Sequence, residues 1–268
     1  MLQSDELIIG TGVTIAPSAR IRGLNGPAKR IVIGDYTYIG EDVQIICDEF
    51  SIGDYGKIHH HTNIHGYLPC HIGHNAWIGQ YCILDSIGGL SIGHNCGIGA
   101  QSQLWSHIKY GDTLEGCRFL SEKPLSIGQD VYIGPGCIVY PITAHDKSMA
   151  MSGSVVTKDM APNTVYAGNP AKSISDRIGP QFAPVTIAEK MDKMRQYLAE
   201  CNADMHQIVL VETVEAIEWN DHRTYFAVHE RQYKKTGHPA EVNLMRWFLP
   251  EKAKFVPAMR PKSSMMHH

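Results

Sequence analysis

No stretch of the 268 residues approaches the roughly eighteen consecutive apolar positions that a membrane-spanning helix needs. Charge of one sign is also missing. Lys plus Arg number 24 against 27 Asp plus Glu, a net charge of −3, so no basic face points to nucleic acid or to a membrane surface. The opening residues 1–6 are acidic and no apolar segment follows them, which does not read as a signal peptide. No Cys-x-x-Cys pair occurs, and the seven cysteines are an odd number. That argues against a disulfide framework or a structural zinc and favours a reducing, cytoplasmic compartment. What remains is a near-neutral chain, 43% apolar, long enough for one large or two modest domains with a real core.

The chain is rich in a six-residue repeat. Ile, Val or Leu, usually followed by Gly, recurs at Ile33, Ile39 and Ile45, at Ile52, Ile58 and Ile64, and at Ile72, Ile78 and Leu84. It continues at Ile92, Ile98 and Leu104 and at Ile127, Ile133 and Val139. A helix has a period of 3.6 and a strand a period of two. A period of six therefore means a short strand plus a turn, three of which make one coil of a prism; stacked coils make a β-helix. Coils begin at Ile9, Ile33, Ile52, Ile72, Ile92, Ile127 and Ala144, about seven in all. Two positions before the inward aliphatics stand Val13, Thr37, Val43, Thr62, Ala76, Cys82, Cys96, Ser102, Val131 and Cys137, small or β-branched as a narrow interior requires. The long step from Ile92 to Ile127 implies an extruded loop over 105–126, and long loops on a rigid repeat often carry function.

After residue 175 the repeat stops. Residues 185–204 read as an amphipathic helix, 208–219 and 224–233 as strands around a turn at 220–222, 240–249 as a helix and 253–256 as a last strand. The expected organisation is a β-helix over 1–175, a small α+β appendage over 176–260 and a disordered tail over 261–268.

The repeat closes with Ser152-Gly153-Ser154-Val155-Val156-Thr157-Lys158-Asp159 and then Ala167-Gly168-Asn169-Pro170-Ala171-Lys172. Repeat and closing together resemble the hexapeptide-repeat acyltransferases, in particular the galactoside, maltose and xenobiotic O-acetyltransferases and the sugar acetyltransferases of polysaccharide synthesis. The resemblance covers about residues 9–175. It implies a left-handed parallel β-helix, against the usual right-handed crossover, a homotrimer, and transfer of acetyl from acetyl-CoA to a sugar hydroxyl or amine.

Acetyl transfer needs a base for the acceptor proton, a donor for the developing oxyanion and alignment of both substrates. His107 stands at the root of the loop, where the resembling family has its catalytic histidine, and imidazole is the natural base at neutral pH. Members of the resembling family carry an acidic residue near Asp85, after the inward Leu84, that binds the acceptor sugar, so by resemblance Asp85 would bind the acceptor; it also fits an ordinary turn aspartate. His59, His60, His61 and His65 fall on outward positions and could bind acceptor hydroxyls or form a solvated face. Carried over by resemblance, Tyr132, Gly134 and Pro135 would flank the pantetheine arm and Ser152 would offer a backbone amide. Thr157, Lys158 and Lys172 would meet the nucleotide end, although both lysines also fit ordinary surface positions. The short passage from Tyr140 to His145 departs from the pattern. No metal is expected, yet the γ-type carbonic anhydrases share the fold and bind zinc through histidines between subunits, so a zinc enzyme stays open, as does a non-catalytic scaffold. His74 and His94 read as turn residues.

Overall fold

The computed structural model describes residues 2–261; the expected tail lies, from residue 262 onward, outside the described residues. Successive strands visit three sheets in rotation. The first sheet holds seven strands, from Ser4–Ile9 through Ala28–Ile33, Glu49–Ile52, Cys70–Ile72, Leu90–Ile92 and Leu125–Ile127 to Thr143–Ala144. The second holds nine, the last two being Val165–Gly168 and Ala171–Ser173, and the third holds seven, from Arg20–Arg22 to Val155–Val156. Pairing within each sheet is parallel, except that Ala171–Ser173 folds back antiparallel on Val165–Gly168. This is the expected parallel β-helix with a C-terminal α+β appendage.

The register follows the six-residue repeat. Ile52, Ile72, Ile92 and Ile127 stack in the first sheet, Ile58, Ile78, Ile98 and Ile133 in the second, and Ile64, Leu84, Leu104 and Val139 in the third. All are buried, each row removing side chains worth roughly 1.5–3 kcal/mol apiece from water. Nine of the ten small inward residues are buried as well, and Val13, in the first coil, is half-buried. Burial pushes the Cys82 thiol up to about 11, which fits a packing role rather than a nucleophilic one. The corners recur with residues in the left-handed region, among them Tyr36 (φ 56°), Asn75 (φ 58°) and Asn95 (φ 64°).

The extruded loop is shorter than expected at its far end. Leu125 and Ser126 already pair with Leu90 and Ser91, because Leu125 is itself an inward, fully buried residue. The loop is pinned near its base by an antiparallel bridge between Ile108 and Ser121 and by the Lys109–Glu122 ion pair.

The chain divides into units Met1–Ala183 and Pro184–His268, so the short helix Ser175–Ile178 belongs with the coils. The second unit carries the helices Ile187–Glu200 and Pro239–Phe248 and a four-stranded sheet. Its strands are shorter than the sequence suggests. Ile208–Val211 gives way to a 3₁₀ turn at Val214–Ala216. The run 224–233 is two strands, Thr224–Ala227 and Gln232–Tyr233, joined antiparallel, and the last strand is Val256–Pro257. Phe226 stands at the centre of this unit's core, against Tyr233, Phe248 and Phe255.

Candidate active site

Asp85 ends the strand Ile83–Asp85, opposite His65 on the strand below. One coil further on, the chain leaves the third sheet after Leu104 and turns back over Asp85. Ser106 and His107 therefore converge on one carboxylate oxygen. Asp85 Oδ2 accepts the Ser106 N–H at 3.0 Å, the Ser106 hydroxyl at 2.7 Å and the His107 Nδ1–H at 2.8 Å. The Ser106 hydroxyl in turn accepts the Gly88 N–H at 2.9 Å. Gly88 has to be glycine here, since a Cβ would lie 2.2 Å from the Ser106 carbonyl oxygen. Asp85 is 0% exposed while the His107 imidazole is 20% exposed, so the pair has a buried anchor and an accessible tip. The Trp105 indole packs edge-on against that imidazole and donates from Nε1 to Gln103 Oε1.

A carboxylate is an acceptor only. Its bond to Nδ1 places the proton there and leaves the Nε2 lone pair for chemistry, the arrangement in which a histidine serves as an oriented base. The other Asp85 oxygen, Oδ1, is buried without a hydrogen-bond partner. His65 Nε2 lies 3.7 Å from it, and His65 Nδ1 is 3.1 Å from Asn63 Oδ1.

Asp85, expected as an acceptor ligand, is placed as a fully buried carboxylate that holds His107 and Ser106. The histidine cluster is also divided. Only His65 shares the Asp85 corner. His59, His60 and His61 occupy the preceding corner of the same coil, between Lys57–Ile58 and Asn63–His65. There His59 packs between Tyr38 and Trp77, and burial, with the neighbouring His60 and Lys57, holds its pKa below the usual imidazole value. His60 accepts the Glu41 N–H, and His61, at φ 59°, stacks on Tyr81.

The residues carried over for acetyl-CoA do not share one edge. Gly134, Pro135 and Ser152 stack at the corner between the second and third sheets, where a Cβ on Gly134 would meet the Ser152 N at 2.6 Å. Tyr132 lies on the second sheet over Gly97. Thr157 and Lys158 are exposed beyond Val155–Val156, at the same kind of corner as Asp85, and Lys172 is exposed on the closing strand Ala171–Ser173. Among the described residues no three His, Cys, Asp or Glu side chains of one chain converge to hold a metal ion.

No family model matches the chain. A Schizosaccharomyces pombe protein, itself named an acetyltransferase only provisionally, is 33% identical over 108 residues, 39% of this chain and 51% of the relative. The galactoside O-acetyltransferase of Escherichia coli K12 is 43% identical over 54 residues, 20% of this chain and 27% of the relative. The chain resembles the hexapeptide-repeat acetyltransferases. It spans about half the length, or less, of those two relatives. Among solved structures, the polySia-specific acetyltransferase NeuO matches 74% of this chain and 98% of its own, at 20% identity and a TM-score of 0.47. Within this acetyltransferase-like chain, sequence reasoning missed Ser106, Gly88 and Asn63 as parts of the site. The available signal was the Ser106-His107 dipeptide just where the loop leaves the coil that covers Asp85-Ser86.

Proposed function

We propose that the chain transfers an acetyl group from acetyl-CoA to a hydroxyl or amine of a sugar acceptor, with His107 as general base. The observation that carries this reading is the 2.8 Å bond between His107 Nδ1 and the buried Asp85 carboxylate. His107 Nε2 takes the acceptor proton as the acceptor oxygen or nitrogen attacks the thioester carbonyl. Asp85 holds the imidazole in the right tautomer and offsets the charge that the proton brings. Attack is direct. Cys117, the cysteine nearest in sequence, sits in the loop and has no basic hydrogen-bond or ion-pair partner among the described residues, so it is not assigned as an acyl carrier.

Acetyl-CoA as donor rests on the resemblance, with Tyr132, Gly134, Pro135, Ser152, Thr157, Lys158 and Lys172 as its contacts. A homotrimer is part of the same reading. Tyr110, Leu114 and Phe119 on the loop are 101%, 91% and 77% exposed in the single chain, and apolar side chains held out in this way suit a loop that packs on a neighbouring subunit. The seven cysteines, an odd number with no Cys-x-x-Cys pair, support a reducing, cytoplasmic setting. Calorimetry with acetyl-CoA tests the reading. Micromolar binding is expected, weakened about two- to fivefold by Lys158→Ala, the scale of one exposed ion pair to a phosphate. No binding, with about one zinc per subunit in the same sample, would replace acetyl transfer with metal chemistry.

A further inference from the structure

Beside the Asp85 corner lies a cavity of about 400 Å³, walled by Leu24, Ile46, Ile87 and Tyr67, with His65, Asn63 and the Gly66 backbone between them. Its size is that of a small-molecule site. The register explains its composition. Ile46, His65 and Asp85 occupy equivalent positions on three successive coils of the third sheet, paired Ile46 to His65 and His65 to Asp85. Read up this column, the wall changes from hydrocarbon to imidazole to carboxylate, and the last of these holds His107. The half-exposed side chains of Leu24, Ile46 and Ile87 border the cavity rather than the interior of the prism. His65 presents one ring nitrogen to Asn63 and the other to the unpartnered Asp85 Oδ1, so it links the cavity to the catalytic pair through a shared carboxylate.

We propose that this cavity is the acceptor subsite and that it selects an acceptor with a hydrocarbon or deoxygenated face beside its reacting hydroxyl or amine. This deepens the acetyltransferase reading and rests on it. The apolar face lies against Leu24, Ile46 and Ile87. The polar end meets His65 and is directed along the column towards His107. A fully hydroxylated sugar ring would set hydroxyl groups against three aliphatic side chains that offer no hydrogen bond, and a hydroxyl removed from water without a partner is disfavoured. A partly deoxygenated ring avoids that loss and gains the burial of its own apolar surface.

The test uses the full chain and two probes, cyclohexylmethanol and methyl α-D-glucoside, followed by the methyl resonances of Ile46 and Ile87. Cyclohexylmethanol is expected to shift both methyls saturably and to bind at least tenfold more tightly than the glucoside. The double substitution Ile46→Thr with Ile87→Thr, β-branched at both positions and hence compatible with the coil, is expected to remove that preference while Ile133 methyl signals and acetyl-CoA affinity stay as in the wild type. In the acetylation assay the same variant should lower the kcat/KM ratio of a 6-deoxy acceptor over its parent hydroxylated sugar by at least tenfold. Equal affinity for the two probes, or no saturable shift because a neighbouring subunit fills the cavity, overturns the subsite while normal acetyl-CoA binding leaves the wider reading standing. Failure of the wild type to bind acetyl-CoA overturns the acetyltransferase reading itself, and the acceptor role with it.

Discussion

Two columns of corner residues on the same β-helix use histidine in opposite ways. At the corner between the first and second sheets, side chains accept backbone N–H groups from the coil before. Asp35 accepts from Thr11 at 2.7 Å, Asp54 from Asp35 at 2.8 Å, His74 Nδ1 from Asp54 at 2.9 Å and His94 Nδ1 from His74 at 3.0 Å. Carboxylate and imidazole are interchangeable there, because the corner asks only for an acceptor, and the imidazole serves while Nδ1 is unprotonated. At the corner after the third sheet, His107 Nδ1 donates to Asp85, and its other nitrogen is left for a proton. The partner decides the role: an amide donor makes histidine a structural acceptor, whereas a buried carboxylate makes it an oriented base.

The largest effect expected from breaking this contrast is at Asp85. Asp85→Asn presents an amide that can set the His107 tautomer the wrong way, and kcat should fall about 10²- to 10⁴-fold with acetyl-CoA binding kept. A drop of less than threefold would reduce Asp85 to a packing residue. At the other column, His94→Ala should leave kcat untouched and cost about 0.5–1.5 kcal/mol in denaturant unfolding, the worth of one lost hydrogen bond; a matching loss of activity would merge the two columns into one function. The smallest effect is one of pH. Burial holds the His94 pKa below the ordinary imidazole value, with Asp130 pulling the other way. A histidine whose folded pKa is depressed contributes its stability fully above the unfolded value near 6.5. That contribution is lost as pH falls through 6.5 towards the folded value. His94→Gln, which keeps an acceptor but does not titrate, should flatten that part of the stability curve, and an unchanged slope would show that other groups set it.

Much of the scaffold was legible because its signal repeats. Within each coil from Ile33 to Val139 the three inward aliphatics stand six residues apart, and the seven coil starts coincide with the last residues of the first sheet's seven strands. The appendage, with no repeat to average over, was read at the level of elements but not of their ends. Turn formation at residues 228–231 and the 3₁₀ turn after Val211 cut short the strands that hydrophobic runs suggested. His107 was legible from its place at the loop root. The burial of Asp85 was not, since the residue after an inward aliphatic ordinarily faces out, as Trp105 and Tyr140 do on neighbouring coils, and only the returning chain at Ser106 encloses it. The four histidines near residue 60 looked like one cluster because they are close in sequence. Four residues are enough to cross a whole face of the prism, so His65 belongs to a different corner from His59, His60 and His61.

The most direct test of the central claim is acetyl transfer by His107→Ala, with acetyl-CoA affinity measured by calorimetry on the same preparation. The account predicts unchanged affinity and transfer reduced about 10²- to 10⁴-fold. Transfer at the wild-type rate would contradict it and move the base elsewhere on the chain.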